Sequence, residues 1–132
     1  MSTLAAHLTR PASARGPAVA AASMLALVAL IHAIDGPPGL DESYTIGALE
    51  LALTLAVVPL GIALLISPVR DVWIASGVLC AVALGFYVAS RTVGLAGMSD
   101  DIGDWFSLLG VLNVLAELAV IGIAGWVLLS ER

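Results

Sequence analysis

Six residues in this sequence are of types that do chemistry and stand in or beside apolar runs: His32, Glu50, Tyr87, Arg91, Asn113 and Glu117. A charged side chain at the centre of a bilayer costs about 2.5–3.5 kcal/mol on insertion scales, so such groups turn toward one another or toward a hydrated path. Together they are candidates for a ligand or proton site. Glu50 reads as a cation ligand, as a proton acceptor, or as one half of a pair with Arg91 or His32 that holds helices together. Glu117 has no Arg or Lys at its depth. It is therefore either protonated and hydrogen-bonded, to Asn113 or Thr54, or set on a hydrated path. His32 reads as a hydrogen-bonded packing residue or as a ligand. Asn113 reads as interhelical glue, and Arg91 as the counter-ion of an acidic face. Whether any of them holds a metal is open at this level.

Familiar catalytic patterns are missing. There is no paired-His zinc spacing, no Gly-rich phosphate loop and no Ser nucleophile elbow. Of the two histidines one lies near the amino end, so bis-histidine haem ligation within one chain is not expected, and Met24 and Met98 are poorly placed for mixed ligation. The single cysteine, Cys80, excludes an internal disulfide and a thiolate cluster. These absences point away from an enzyme and imply no cofactor.

The elements that must position the six residues follow from composition. The chain has 132 residues, of which 61% are hydrophobic and 11% charged. Soluble domains are about 45–50% apolar and about 25% charged, so a water-soluble globular fold is excluded, and so is intrinsic disorder. Five basic residues against ten acids, net charge −5, exclude a nucleic-acid partner. Charged residues divide the chain into four apolar segments, about 18–34, 44–66, 72–90 and 105–129. A bilayer core of about 30 Å needs about 17–25 helical residues, and backbone groups in lipid must be satisfied within the segment. The fold class expected is all-α, a four-transmembrane-helix bundle, spanning residues 17–132.

Asp35-Gly36-Pro37-Pro38-Gly39 is expected to end the first helix, and Asp41, Glu42 and Ser43 to start the second. Pro59, with Gly61 nearby, predicts a bend in the second helix. Ser67-Pro68 ends it, and Asp100, Asp101 and Asp104 lead into a fourth helix at Trp105. Residues 1–16, with Arg10, Arg15 and Pro11, read as a flexible basic tail. A cleaved signal peptide is the competing reading, but the residues after the first apolar stretch make a poor cleavage site. Trp73, Trp105 and Trp126 sit near helix ends, as an aromatic belt would have them.

Counting about 1.5 Å per helical residue from the same end of each helix, His32 lies about 4–5 Å deep, Tyr87 about 6 Å, Glu50 about 9 Å, Asn113 about 12 Å and Glu117 about 18 Å. Helical spacing sets Gly110, Asn113 and Glu117 on one stripe. It does the same for Gly47, Glu50 and Thr54, for Gly77, Cys80, Leu84, Tyr87 and Arg91, and for Leu25, Val28, His32 and Asp35. On the second helix Leu49, Leu53 and Leu60 are left to face lipid. Turning the four stripes inward gives a polar core in one half of the membrane, with Glu117 alone reaching the middle. Arg10, Arg15, Arg70 and Arg132 fall on one side of the bundle. Arg91 falls on the other, with the acidic rim Asp35, Asp41, Glu42, Asp100, Asp101 and Asp104. The positive-inside rule then places both termini in the cytoplasm and the acidic rim outside, in the cell (plasma) membrane. Cations are drawn to such a face.

Ser90-Arg91-Thr92-Val93-Gly94-Leu95-Ala96-Gly97, followed by Asp100-Asp101-Ile102-Gly103-Asp104-Trp105, resembles the junction between the third and fourth helices of small four-helix membrane proteins of actinobacteria. In that group the junction carries Pro where this chain has Ala96, so a looser turn is implied here, and Glu117 matches an acid later in the last helix. The resemblance implies a fold and a cell-membrane location and brings no activity with it. In this setting the planar fork of Arg91 can grip two carboxylates, from Asp100, Asp101, Asp104 or Glu50, and fold the loop over the polar core as a lid.

Two functional classes lead, the first preferred over the second, ahead of an integral membrane enzyme or a lipid or quinone binder. One is a structural or accessory subunit, with the bilayer and either its own copies or a membrane partner subunit as its contacts, whose polar residues fix helix register. The other binds or transports a proton or cation through the outer-facing acidic and histidine core. The charge-free inner halves of the first and third helices count against a complete path across the membrane.

Overall fold

The computed structural model describes residues 15–131, except 96 and 98. It is helical, in the order α1 (Arg15–Glu42), α2 (Tyr44–Ile66), α3 (Arg70–Thr92) and α4 (Leu108–Ser130), with no extended strand among the described residues. All four helices are long and apolar enough to cross a membrane. The basic tail expected over 1–16 lies outside the described residues, save Arg15 and Gly16, which open α1.

Helix α1 is the hub. It packs along α2 and across α4, α4 packs on α3, and of the neighbouring pairs α2 and α3 pack least. The contact side of α1 carries Ala18, Ala21, Ala22 and Ala29, all buried, and small side chains let helix backbones come close in lipid. Leu25, Val28, Val57, Leu64, Val120 and Ala124 fill the interior with Trp73 and Cys80. Large apolar residues such as Leu30, Leu55, Leu65, Val78 and Leu115 point outward, as a lipid-facing surface requires. Hydroxyls are satisfied within their own helices: Ser23, Ser76, Thr92 and Ser130 each donate to a carbonyl one turn back.

Four expectations are corrected. The Asp35–Gly39 stretch does not end α1, which runs on to Glu42 with Pro37 and Pro38 inside it. A proline's fixed φ suits a helix, so the pair costs hydrogen bonds rather than forcing a break. The glycines beside them meet α2 closely. An added Cβ on Gly36 would fall 2.7 Å from Leu51 Cδ2, and one on Gly39 3.2 Å from the Gly47 Cα. Ser43 alone then reverses the chain, its N–H donating to Gly39 O and its own carbonyl accepting from Gly47 N. Helix α4 starts at Leu108 rather than Trp105, because residues 99–105 are spent on turns that hold the preceding loop to α3. Trp73 is buried at 2% exposure instead of standing in a belt, whereas Trp126 is exposed. Pro59 lies inside an uninterrupted α2. Leu49 is exposed, while Leu53 and Leu60 pack partly against the core.

Candidate functional site

The six residues form two storeys rather than one cluster. The inner storey centres on His32. Its Nδ1 lies 3.8 Å from Glu50 Oε2 and its Nε2 3.8 Å from Glu117 Oε1, so one imidazole stands between two carboxylates of different helices. Asn113 Nδ2 donates to Glu117 Oε1 at 3.0 Å, the one-turn pairing that residues four apart on a helix allow. Glu117 is fully buried and Asn113 nearly so. Of the two partners named for Glu117, Asn113 is the one found. The Thr54 hydroxyl instead reaches Ala29 O and Glu50 O. Glu50 pairs with His32 and not with Arg91.

The depth of this storey differs from the expectation because α1 is longer. His32 lies ten residues below Glu42, about 15 Å from the helix end. Glu117, nine residues past Leu108, lies about 13–14 Å down. The two are level, and Glu117 no longer stands alone at mid-membrane.

The outer storey is a clasp. Arg91 Nη1 contacts Asp101 Oδ1 at 2.9 Å and its guanidinium lies 4.9 Å from the Tyr87 ring centroid. The Tyr87 hydroxyl donates to Trp105 O at 3.0 Å, and the two rings meet edge to face. Gly103 N–H donates to Arg91 O at 2.9 Å. Gly103 has φ +84° and Gly94, which closes the end of α3 by donating to Ala89 O, has φ +77°. Both are left-handed positions that glycine takes without strain. The loop is therefore tied down as expected, but by one carboxylate. Asp100 and Asp104 are exposed, as are Asp41 and Glu42, and Asp35 is half-buried. The turn at Ala96 lies outside the described residues.

Because the Arg91–Asp101 pair is partly exposed, its loss should be small and local. Asp101→Asn is expected to cost about 1 kcal/mol or less. Hydrogen exchange should show faster opening of residues 99–107 with the helix interiors unchanged.

Between the storeys lies a cavity of about 380 Å³, walled by α2 and α3 and reached by His32 from α1 and Asn113 from α4. Leu95 and Asp101 of the loop line its outer end. Reading stripes did not reveal this space. Its signal is a set of small residues, Ala52, Ala56 and Ala83, on the facing sides of the two neighbouring helices that pack least. Several buried polar atoms around it have no hydrogen-bond partner among the described residues: both ring nitrogens of His32, Glu50 Oε2, Asn113 Oδ1, Glu117 Oε2 and Arg91 Nε. No group of three or more His, Cys, Asp or Glu among the described residues is arranged to hold a metal ion.

Chemically, an imidazole can carry a proton on either nitrogen, and here a carboxylate oxygen faces each nitrogen at 3.8 Å. Below it toward the Arg15 end, the interior is mostly apolar, built from Leu25, Val57, Leu64, Val120 and Trp73, with the buried Ser76 hydroxyl donating to Val72 O of its own helix. No protein-family model, no curated protein and no solved structure matches this chain.

Proposed function

We propose that this is a small multi-pass protein of the cell membrane that binds a proton at the Glu50–His32–Glu117 relay, with access from the outer, acidic face. Both termini are then cytoplasmic. Arg15 and Arg70 open helices at one end of the bundle, and Arg91 with the acidic rim lies at the other, which is the asymmetry the positive-inside rule reads. The likeness of its third junction to that of small four-helix actinobacterial membrane proteins supports the same location.

The observation that carries the reading is the pair of 3.8 Å contacts on the two nitrogens of one imidazole. A purely accessory role asks only that buried polar groups be mutually satisfied. Here Glu50 Oε2, Glu117 Oε2 and both His32 nitrogens find no hydrogen-bond partner among the described residues, a costly arrangement for a scaffold and a useful one for a group that must gain and lose a proton. The apolar inner half argues for binding from one side rather than for a through-path.

The test is infrared difference spectroscopy on the protein in lipid nanodiscs, stepping the pH with no ligand added. Wild type is expected to show a buried carboxyl band that changes with pH. Glu117→Gln and His32→Gln should each remove or displace it, and Asp101→Asn should leave it. An identical band in wild type and both relay variants would overturn the reading in favour of the accessory role, which also predicts co-purification with a partner subunit.

A further inference from the structure

The cavity between α2 and α3 is more than an antechamber to the relay. Its lips, Leu49, Val82 and Phe86, are each about half exposed, at 48%, 51% and 48%. They lie on surfaces that face the acyl chains, so the cleft opens sideways toward the hydrocarbon, with Leu95 and Asp101 lining it on the loop side. The walls are mostly aliphatic; His32, Glu50 and Asn113 stand toward the bundle interior, and Tyr87, Ser90, Arg91 and Asp101 toward the loop. This polarity matches an amphiphile that arrives through the lipid with its polar head leading.

The head can be specified from what the inner end lacks. Arg91 is held by Asp101. Among the described residues the cavity-lining polar atoms without a hydrogen bond are the Arg91 Nε donor beside the loop, the two His32 nitrogens, which face Glu50 and Glu117 at 3.8 Å, and two acceptors, Glu50 Oε2 and Asn113 Oδ1, of which only Asn113 Oδ1 has no charged group facing it. Asn113 is 5% exposed. An anion would meet the Glu50 carboxylate with Glu117 behind it, and a neutral acceptor would find two more acceptors. A positive N–H donor answers both. A volume of about 380 Å³ sits at the low end of ligand sites, which run about 300–1,000 Å³. It admits a compact single-chain or one- to two-ring body and excludes a phospholipid.

We propose that the α2–α3 cleft binds a lipophilic ammonium ion, an amine bearing at least one N–H on a compact apolar body, with its N–H donors on Glu50 and Asn113. This rests on reading the inner storey as a charge-binding site and names what that site takes besides a proton. The amine and the proton then compete for Glu50.

The probe is octylammonium, with 1-octanol as its neutral counterpart, titrated calorimetrically into the protein in nanodiscs against empty nanodiscs. Saturable one-to-one binding is expected for octylammonium. Octanol should bind about 10- to 100-fold more weakly, the range a charge-assisted hydrogen bond covers. Glu50→Gln should weaken octylammonium by a similar factor. Ala83→Phe, which fills the wall without touching the polar end, should abolish binding of both probes while the helical signal and its melting are kept. Equal affinities for the two probes, or an unchanged affinity in Ala83→Phe, would overturn the proposal. So would efficient cross-linking between copies carrying Val82→Cys, since a second chain would then fill the cleft. The carboxyl band measured without amine stays independent. If the band behaves as expected and the amine does not bind, the amine proposal falls alone, and if the amine binds while the band is silent, the proton reading falls alone.

Discussion

Replacing His32 by alanine lowers the stability of the bundle by about 3 kcal/mol or more, the range seen when one partner of a buried ion pair is removed. The reason lies in the burial of what is left behind. Glu117 is fully buried, with Asn113 as its one hydrogen-bond donor among the described residues, and no described Arg pairs with it to replace the imidazole. Glu50 is better placed, its side chain 28% exposed and able to turn into the cavity. Glu117→Leu made together with His32→Leu should therefore recover most of the loss, because apolar residues of similar volume commonly replace a buried pair at little cost. Unfolding followed by circular dichroism during titration with a denaturing detergent measures both variants. If His32→Ala unfolds with the wild-type midpoint, the inner storey does not hold the helices and its members interact only weakly. The double variant has a second use. A protein that keeps its fold and loses its carboxyl band separates the relay's chemistry from its part in packing, and that separation is what distinguishes a binding protein from a scaffold.

The four spans were legible because length and charge content decide them. A run of 23 residues with Glu50 as its one charge, such as Tyr44–Ile66, has little choice in lipid. Helical spacing also placed Glu50, His32, Asn113 and Glu117 on inward stripes, and all four do meet. What local sequence does not carry is the length of a helix through residues it tolerates. Pro37 and Pro38 read as a stop, yet α1 passes through them because Gly36 and Gly39 sit against Leu51 and Gly47 of α2, a tertiary contact outweighing a local preference. That single misreading moved His32 by about 10 Å along the membrane normal. It thereby hid the fact that His32 and Glu117 are level. The partner of Arg91 was ambiguous for a related reason: Glu50 and Asp101 both lie within reach of a long side chain by stripe and depth, and only the route of the loop past α3 decides between them. The burial of Trp73 and the cleft beside Ala52, Ala56 and Ala83 depend on which helix pairs pack, which no single stripe records.

The same tertiary contact yields the other large effect. Gly47→Leu should prevent α1 and α2 from closing, at a cost of about 3 kcal/mol or more, the upper range of overpacking. A Cβ on Gly47 would overlap Leu40 N and lie 2.6 Å from Gly39 C and 2.7 Å from the Leu40 Cα. These are backbone atoms that cannot rotate aside, unlike the Leu51 side chain opposite Gly36. Ser43 gives the reversal no slack, being a single residue between the two helices. Relief must then come from separating the helices just above His32 and Glu50, so the 3.8 Å contact between them should open as well. Gly47→Ala should show the same defect in milder form. Gly125→Ala, where an added Cβ meets nothing within 4 Å, should stabilise α4 by about 0.5–1 kcal/mol. Thermal melting of the three variants in one detergent, with the carboxyl band recorded on each folded sample, makes the comparison. If Gly47→Leu melts alongside wild type with its band intact, α1 and α2 do not meet at this glycine. The long α1 that brings His32 level with Glu117 would then have to be abandoned.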